Sequence, residues 1–211
     1  RLTNIMFMRF PLIDPDRFLN RTVAFFGKAF TWLGALLWLL VVSFALKIVV
    51  ENVAALSDQA QSMLAPGNLG WLYLSITFIK VIHEFGHAYA CKRYGGEVHV
   101  MGVMLLIFTP IPYVDATSSW GLRSRWQRML VGAAGMIVEI FVAAIATVIW
   151  YKTAPGVVHN LCFNVMFIAS VTTLLFNINP LLRFDGYYIL SDLLEIPNLH
   201  QRSANHLKHL F

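Results

Sequence analysis

The chain has 211 residues with a formal net charge of +5, and 58% of them are hydrophobic against only 13% charged. A soluble globular domain carries about 25% charged residues, so this composition excludes an ordinary water-solvated globule and points to a membrane. The basic excess sits beside apolar runs, where anionic lipid headgroups attract it, and needs no nucleic-acid partner.

Residues 1–28 mix Phe, Met and Leu with Arg and Asp. Asp14-Pro15-Asp16 is a helix-start signal that predicts an interfacial amphipathic helix from Arg17 to Phe26, lying along membrane lipid. A first span is predicted at about 29–50, where Ala29 to Leu46 carries no charge. The loop from Glu51 ends in the turn signal Pro66-Gly67-Asn68. A second span, about 69–92, is apolar overall but seeded with polar groups. Residues 98–114 are apolar yet broken by Gly102, Pro110 and Pro112, too short and interrupted to cross, which predicts a short re-entrant or extended segment. A cytoplasmic turn through Asp115 to Arg128 leads to a third span, about 129–151, whose one charge is Glu139. A fourth, about 159–180, is polar-seeded like the second. Residues 200–211 form an amphipathic basic stretch and are expected to begin a truncated C-terminal region.

These elements predict an all-α polytopic membrane protein of about four transmembrane helices. It divides into the interfacial segment 1–28, a core of 29–199 and the start of a further region at 200–211. Lys and Arg are retained on the cytoplasmic side of short loops. They crowd the N-terminal segment (Arg1, Arg9, Arg17, Arg21, Lys28) and the second loop (Lys92, Arg93, Arg123, Arg125, Arg128), whereas the first loop has none. Both ends are therefore expected in the cytoplasm.

Within the second span stands His83-Glu84-Phe85-Gly86-His87. Positions four apart share a helix face, so both imidazoles can reach one tetrahedral zinc with Glu84 beside its open position. That arrangement suits peptide hydrolysis: zinc polarises the scissile carbonyl and acidifies water, and a carboxylate moves the proton. Ionisable groups at membrane depth are rare without a functional reason. A third ligand is required, and Asp185, Glu139 and Asp115 are the candidates. Asp185 ranks first because the fourth span runs inward like the second and delivers it to the same side. Glu139 lies roughly 10 Å deeper at ~1.5 Å per residue, and Asp115 is in a loop. Pro180 breaks the helix ahead of Asp185, and Gly186 permits tight backbone beside it. Asn177 is a neutral donor that could stabilise an oxyanion or hold a substrate carbonyl, or could make an interhelical hydrogen bond.

At these residues the chain resembles the site-2 protease family of intramembrane zinc metalloproteases. The resemblance rests on His83 to His87 and on Asn177, Pro180, Asp185 and Gly186, which look like the family's H-E-x-x-H and N-x-x-P-x-x-x-x-D-G signatures. It implies that His83, His87 and Asp185 hold zinc, that Glu84 is the catalytic carboxylate, and that Asn177 assists substrate or transition state. It also implies that Gly95 to Val114 is an extended segment that binds unwound substrate by strand addition. Arg183, Tyr187 and Glu139 depart from the commonest family pattern. They resemble the bacterial peptide zinc metalloprotease branch associated with secretion adaptors, a likeness strengthened by Tyr187 to Leu190 and Leu193 to Leu199. That branch implies maturation of exported peptides, a secretion-adaptor partner and an inner-membrane location. The rival is a non-catalytic zinc-binding membrane component of a peptide export system, against which the intact Glu84 argues. A lipid hydroxylase would need more clustered histidines.

Other residues carry plainer expectations. Lys80 is expected to snorkel or to pair with a distant carboxylate such as Glu139, because pairing Glu84 with a cation would lower its basicity. Cys91 and Cys162 are packing residues. His99, His159, His200, His206 and His209 are solvated, and the six tryptophans mostly anchor span ends.

Overall fold

In a computed structural model, which describes residues 7–106 and 109–196, the chain is mostly helical with one small sheet. Strand β1, Phe7–Ile13, leads into helix α1, Asp16–Phe26. Asp14 Oδ1 accepts from the Asp16 N–H at 2.9 Å, closing the turn that starts α1, as the sequence predicts. Helix α2, Trp32–Glu51, is capped by Thr31, whose Oγ1 accepts from the Gly34 N–H at 3.3 Å. It is apolar on every face and mostly exposed, the pattern of a helix solvated by lipid. A short helix α3, Val53–Gln61, occupies the predicted loop before α4, Leu69–Arg93.

After α4 come β2, Met101–Leu106, and β3, Thr109–Val114, then α5, Arg125–Lys152, and α6, Val157–Val171. A π-helical segment, Thr172–Asn177, continues α6, and α7 spans Asp185–Leu194. Among the described residues, three helical stretches are long and apolar enough to cross a membrane: Trp32–Glu51, Arg125–Lys152 and Val157–Asn177. They coincide with the predicted first, third and fourth spans. Helix α4, the predicted second, has 25 residues and sufficient length, but Lys80, His83, Glu84 and His87 make it less apolar, and both histidines are buried rather than lipid-facing. It packs instead against α5 and α6.

The all-α expectation is corrected by an antiparallel sheet of order β1-β2-β3. The interrupted stretch after α4 is its hairpin, with Met101 opposite Val114 and Val103 opposite Pro112. The unexpected member is β1, where Met8 faces Leu105 and the register slips between Pro11 and Ile13. A strand whose partners lie 88 to 99 residues away leaves no local pairing signal. Arg9 adds to the pairing by lying 5.6 Å over the Tyr113 ring. Within the predicted interfacial segment, the described residues from Phe7 onward are thus strand and helix together, and the strand belongs to the same sheet as the hairpin. Residues 197–211, which include the expected C-terminal stretch, His200, His206 and His209, lie outside the described residues.

Trp32, Trp71, Trp120 and Trp126 are exposed, in keeping with interface anchoring. Trp38 instead donates to the Ile137 carbonyl at 2.8 Å, and buried Trp150 donates to Gln59 Oε1 at 2.7 Å, so these two tie helices together. Cys91 is buried, as a packing residue should be, whereas Cys162 is half-buried. His99 is exposed between Asp14 and Glu97, while His159 is half-buried against the Trp150 ring.

Asp16 fastens α1 to the end of α4. Its Oδ1 accepts from Lys92 Nζ at 2.7 Å and from the Val98 N–H at 3.1 Å. The Lys92 ammonium, helped by Val98, holds this carboxyl below its ordinary value of 3.8. A carboxyl depressed on folding stabilises the fold above its unfolded pKa and loses that contribution as pH falls through the lower, folded value. Asp16→Asn should therefore lower thermal stability at pH 7 by roughly 1–3 kcal/mol. Thermal melts of the detergent-solubilised pair should converge as pH is lowered below 3.8.

Candidate metal centre

His83 and His87 lie one turn apart on α4, and both are buried. His87 Nδ1 lies 2.7 Å from the Val131 carbonyl on α5, which can only accept, so the ring proton sits on Nδ1 and Nε2 carries the lone pair. His83 Nδ1 faces Glu139 Oε1 at 3.3 Å, at ion-pair distance but out of line for a hydrogen bond. A proton on that nitrogen likewise leaves the His83 Nε2 lone pair free. The two Nε2 atoms are 3.0 Å apart. Asp185 Oδ2, from the start of α7, lies 3.1 Å from His83 Nε2 and 3.5 Å from His87 Nε2.

Three electron-pair donors turned on one another in a buried site repel unless a cation lies between them. Tetrahedral ligands at ~2.0–2.1 Å from zinc are about 3.3–3.4 Å from each other. The observed separations of 3.0, 3.1 and 3.5 Å match that edge, and Asp185 Oδ2 is buried without an aligned hydrogen-bond donor. The residues therefore fit a zinc ion. Among the described residues, these three are the group of His, Cys, Asp and Glu placed to share a metal.

The other two ligand candidates stand elsewhere. Asp115 Oδ1 accepts from the Thr117 N–H at 3.0 Å, apart from the cluster. Glu139 is fully buried on the far side of the His83 ring. It accepts from Lys80 Nζ at 2.9 Å, the pairing expected from sequence, from Thr173 Oγ1 at 2.5 Å and from Asn177 Nδ2 at 3.1 Å. Asn177, weighed for substrate contact or an interhelical bond, makes the second. A carboxylate behind a ligating imidazole fixes ring and tautomer, and that is the position Glu139 occupies. Glu84 Oε2 accepts from the Val114 N–H at 2.9 Å, which ties the candidate proton carrier to the end of β3.

Comparison with known proteins places the chain beside one peptidase family. Residues 71–161 match the model for peptidase family M50. It is the family that the two motifs resemble. The match holds α4 with His83, Glu84 and His87, and ends before Asn177 and Asp185. The chain is also 30% identical over 139 residues to the "Putative peptide zinc metalloprotease protein YydH" of Bacillus subtilis (strain 168), an alignment covering 64% of this chain and 53% of that protein. The chain thus spans about half the length of this curated relative. No solved structure matches it.

Glycines set the site's dimensions. A Cβ on Gly135 would stand 2.5 Å from the His83 ring, and one on Gly86 would stand 2.8 Å from the Ala134 carbonyl. Their absence lets α4 and α5 cross closely enough to seat the imidazole. A Cβ on Gly186 would meet the Ile178 carbonyl at 2.5 Å, so glycine there lets α7 abut the π segment and deliver Asp185.

The residues that sequence reasoning missed are Thr172 and Thr173. The Ile178 N–H donates to the Thr173 carbonyl at 2.9 Å, five residues back, and this wider turn accompanies the approach of both Thr173 and Asn177 to Glu139. Two threonines in an apolar run were the available signal, and the wider turn has no sequence signature. Gly135→Ala is expected to displace the His83 ring and weaken zinc binding by about 10-fold or more. Competition with a chelating dye, with helical circular dichroism unchanged, would establish this.

Proposed function

We propose that this chain is the catalytic core of an intramembrane zinc metalloprotease that hydrolyses peptide bonds of membrane-associated or exported peptides. The observation that carries the proposal is the convergence of His83 Nε2, His87 Nε2 and Asp185 Oδ2, with Glu84 adjacent in sequence to His83. Zinc bound there supplies Lewis-acid polarisation of a carbonyl and an acidified water.

The chain's own groups do the rest. Glu84 takes a proton from the attacking water onto its carboxylate and returns it to the leaving amine, and the Val114 N–H keeps that carboxylate at the end of β3 in the meantime. Glu139 holds the His83 ring, while Lys80, Thr173 and Asn177 hold Glu139. Asn177 is in this account a positioning residue that acts through Glu139.

Four spans complete the proposal, with α4 as the second: Trp71, Tyr73, Leu74 and Phe78 in its first half are exposed as a lipid-facing surface, and the half that carries the site packs against α5. Basic residues flanking the spans favour both ends in the cytoplasm of a bacterial inner membrane, with the sheet on that side. The hairpin would bind an extended substrate, delivered as an exported peptide or a membrane-protein segment, with a secretion adaptor as a partner. The named relative's designation as a peptide zinc metalloprotease supports this substrate class.

Detergent-purified protein supplied with zinc should retain one ion per chain, and Asp185→Ala should lose it. Glu84→Gln should keep the metal and abolish cleavage of a peptide library followed by mass spectrometry, a fall of at least about 100-fold. Zinc retained with cleavage unaffected by Glu84→Gln would refute the catalytic assignment.

A further inference from the structure

The outer edge of β3 is chemically one-sided. The Asp115 N–H donates to the Val100 carbonyl at 2.9 Å, making Val100 and Asp115 a hydrogen-bonded pair at the mouth of the hairpin. In an antiparallel ladder such pairs alternate with non-bonded ones. The register places Val114 opposite Met101, Pro112 opposite Val103 and Pro110 opposite Leu105, so all three take the non-bonded positions. Their backbone groups point away from β2. The Val114 N–H shows this directly, because it donates outward to Glu84 Oε2. Pro110 and Pro112 have no N–H, and a proline at these positions costs the ladder nothing. Short of Val114, where the Glu84 carboxylate already occupies it, the edge therefore offers carbonyl acceptors at residues 110 and 112 and no free donor: two are deleted by proline, and the third is held by Glu84. Among the described residues, no group donates to either proline carbonyl.

We propose that this edge is an acceptor-only docking strand, which takes an extended peptide through two of that peptide's own N–H groups, two residues apart, donated to the Pro110 and Pro112 carbonyls. The inference rests on the protease reading for its biological substrate and adds a rule of recognition to it. A peptide strand laid antiparallel along β3 sets one residue against Pro112 and another against Pro110. Each gives its N–H to the edge, and each keeps a carbonyl that β3 cannot satisfy. Ordinary strand addition uses both groups of every second residue. Here half of those bonds are removed by the protein, so the peptide's carbonyls stay available to other groups beside Glu84. Proline or N-methyl residues at the two donor positions are excluded from this edge, while the residue between them faces the other way and tolerates either change.

The test uses the full chain in detergent with zinc removed, so that binding is read without turnover. The probe is a fluorescein-labelled, non-repeating decapeptide of Val, Ile, Thr and Tyr, read by fluorescence anisotropy. An N-methyl scan along it should weaken binding about 5- to 10-fold at two positions two residues apart, in line with ~1–1.5 kcal/mol per lost hydrogen bond, and leave the residue between them unaffected. Pro112→Ala restores an outward N–H and should tighten the unmodified probe several-fold, with the helical circular dichroism of the parent. A scan with no two-residue spacing, no tightening in Pro112→Ala, or no saturable binding of the probe would overturn the proposal. Cleavage by the zinc-loaded chain alongside a flat scan would remove this inference and leave the protease reading standing. A spaced scan from a chain that never binds zinc would do the reverse.

Discussion

Two imidazoles and a carboxylate direct their unshared electron pairs at one another in a buried site, and much of the structure can be understood as the means of keeping them there. His83 and His87 are a helical turn apart on α4, but Asp185 comes from a separate short helix almost a hundred residues later. Bringing it within 3.1 Å of His83 requires α7 to abut the end of the π segment, which Gly186 permits, and α4 to cross α5 closely, which Gly86 and Gly135 permit. Each of these glycines matters for the room it leaves and none for conformational freedom. A divalent cation held between the three donors would convert their repulsion to attraction.

The rest of the polar interior serves the same three atoms. Glu139 is an anion with no exposed surface, and burying it is unfavourable unless it is paired and hydrogen-bonded. Lys80, Thr173 and Asn177 satisfy it, and it in turn faces the proton-bearing side of His83. This network explains why α4 is less apolar than its neighbours: its polar residues face α5 and the π segment, while α2 carries a broad exposed apolar surface. The sheet adds a second constraint. Val114 fixes Glu84 through a backbone N–H, so the same strand that carries the acceptor edge also holds the candidate proton carrier.

Much of this was legible in the residues, and the exceptions share a cause. The motif spacing singled out His83, Glu84 and His87, and the apolar runs located the three helices that, among the described residues, are able to cross a membrane, because both signals are local; Asp185 was ranked first from the direction of the fourth span. The hairpin was visible through Gly102, Pro110 and Pro112 as a stretch unable to form a helix. Strand β1 was not, since its partner is remote and its own pattern of Phe, Met, Arg and Pro does not alternate cleanly. The π turn escaped for a similar reason: nothing in Thr172–Asn177 distinguishes a five-residue hydrogen bond from a four-residue one. Glu139 was legible as a buried charge with Lys80 as a partner, but its place behind His83, and with it the position of Asn177, depended on how α5 and the π segment pack.

The central claim concerns which atoms hold the ion, and X-ray absorption at the zinc edge addresses those atoms directly. For the purified chain carrying one zinc, the account predicts a first shell of nitrogen and oxygen alone at ~2.0–2.2 Å, with outer-shell scattering from two imidazoles that falls to one in His87→Ala. A sulfur scatterer at ~2.3 Å, or a spectrum unchanged when His83, His87 or Asp185 is replaced, would contradict it.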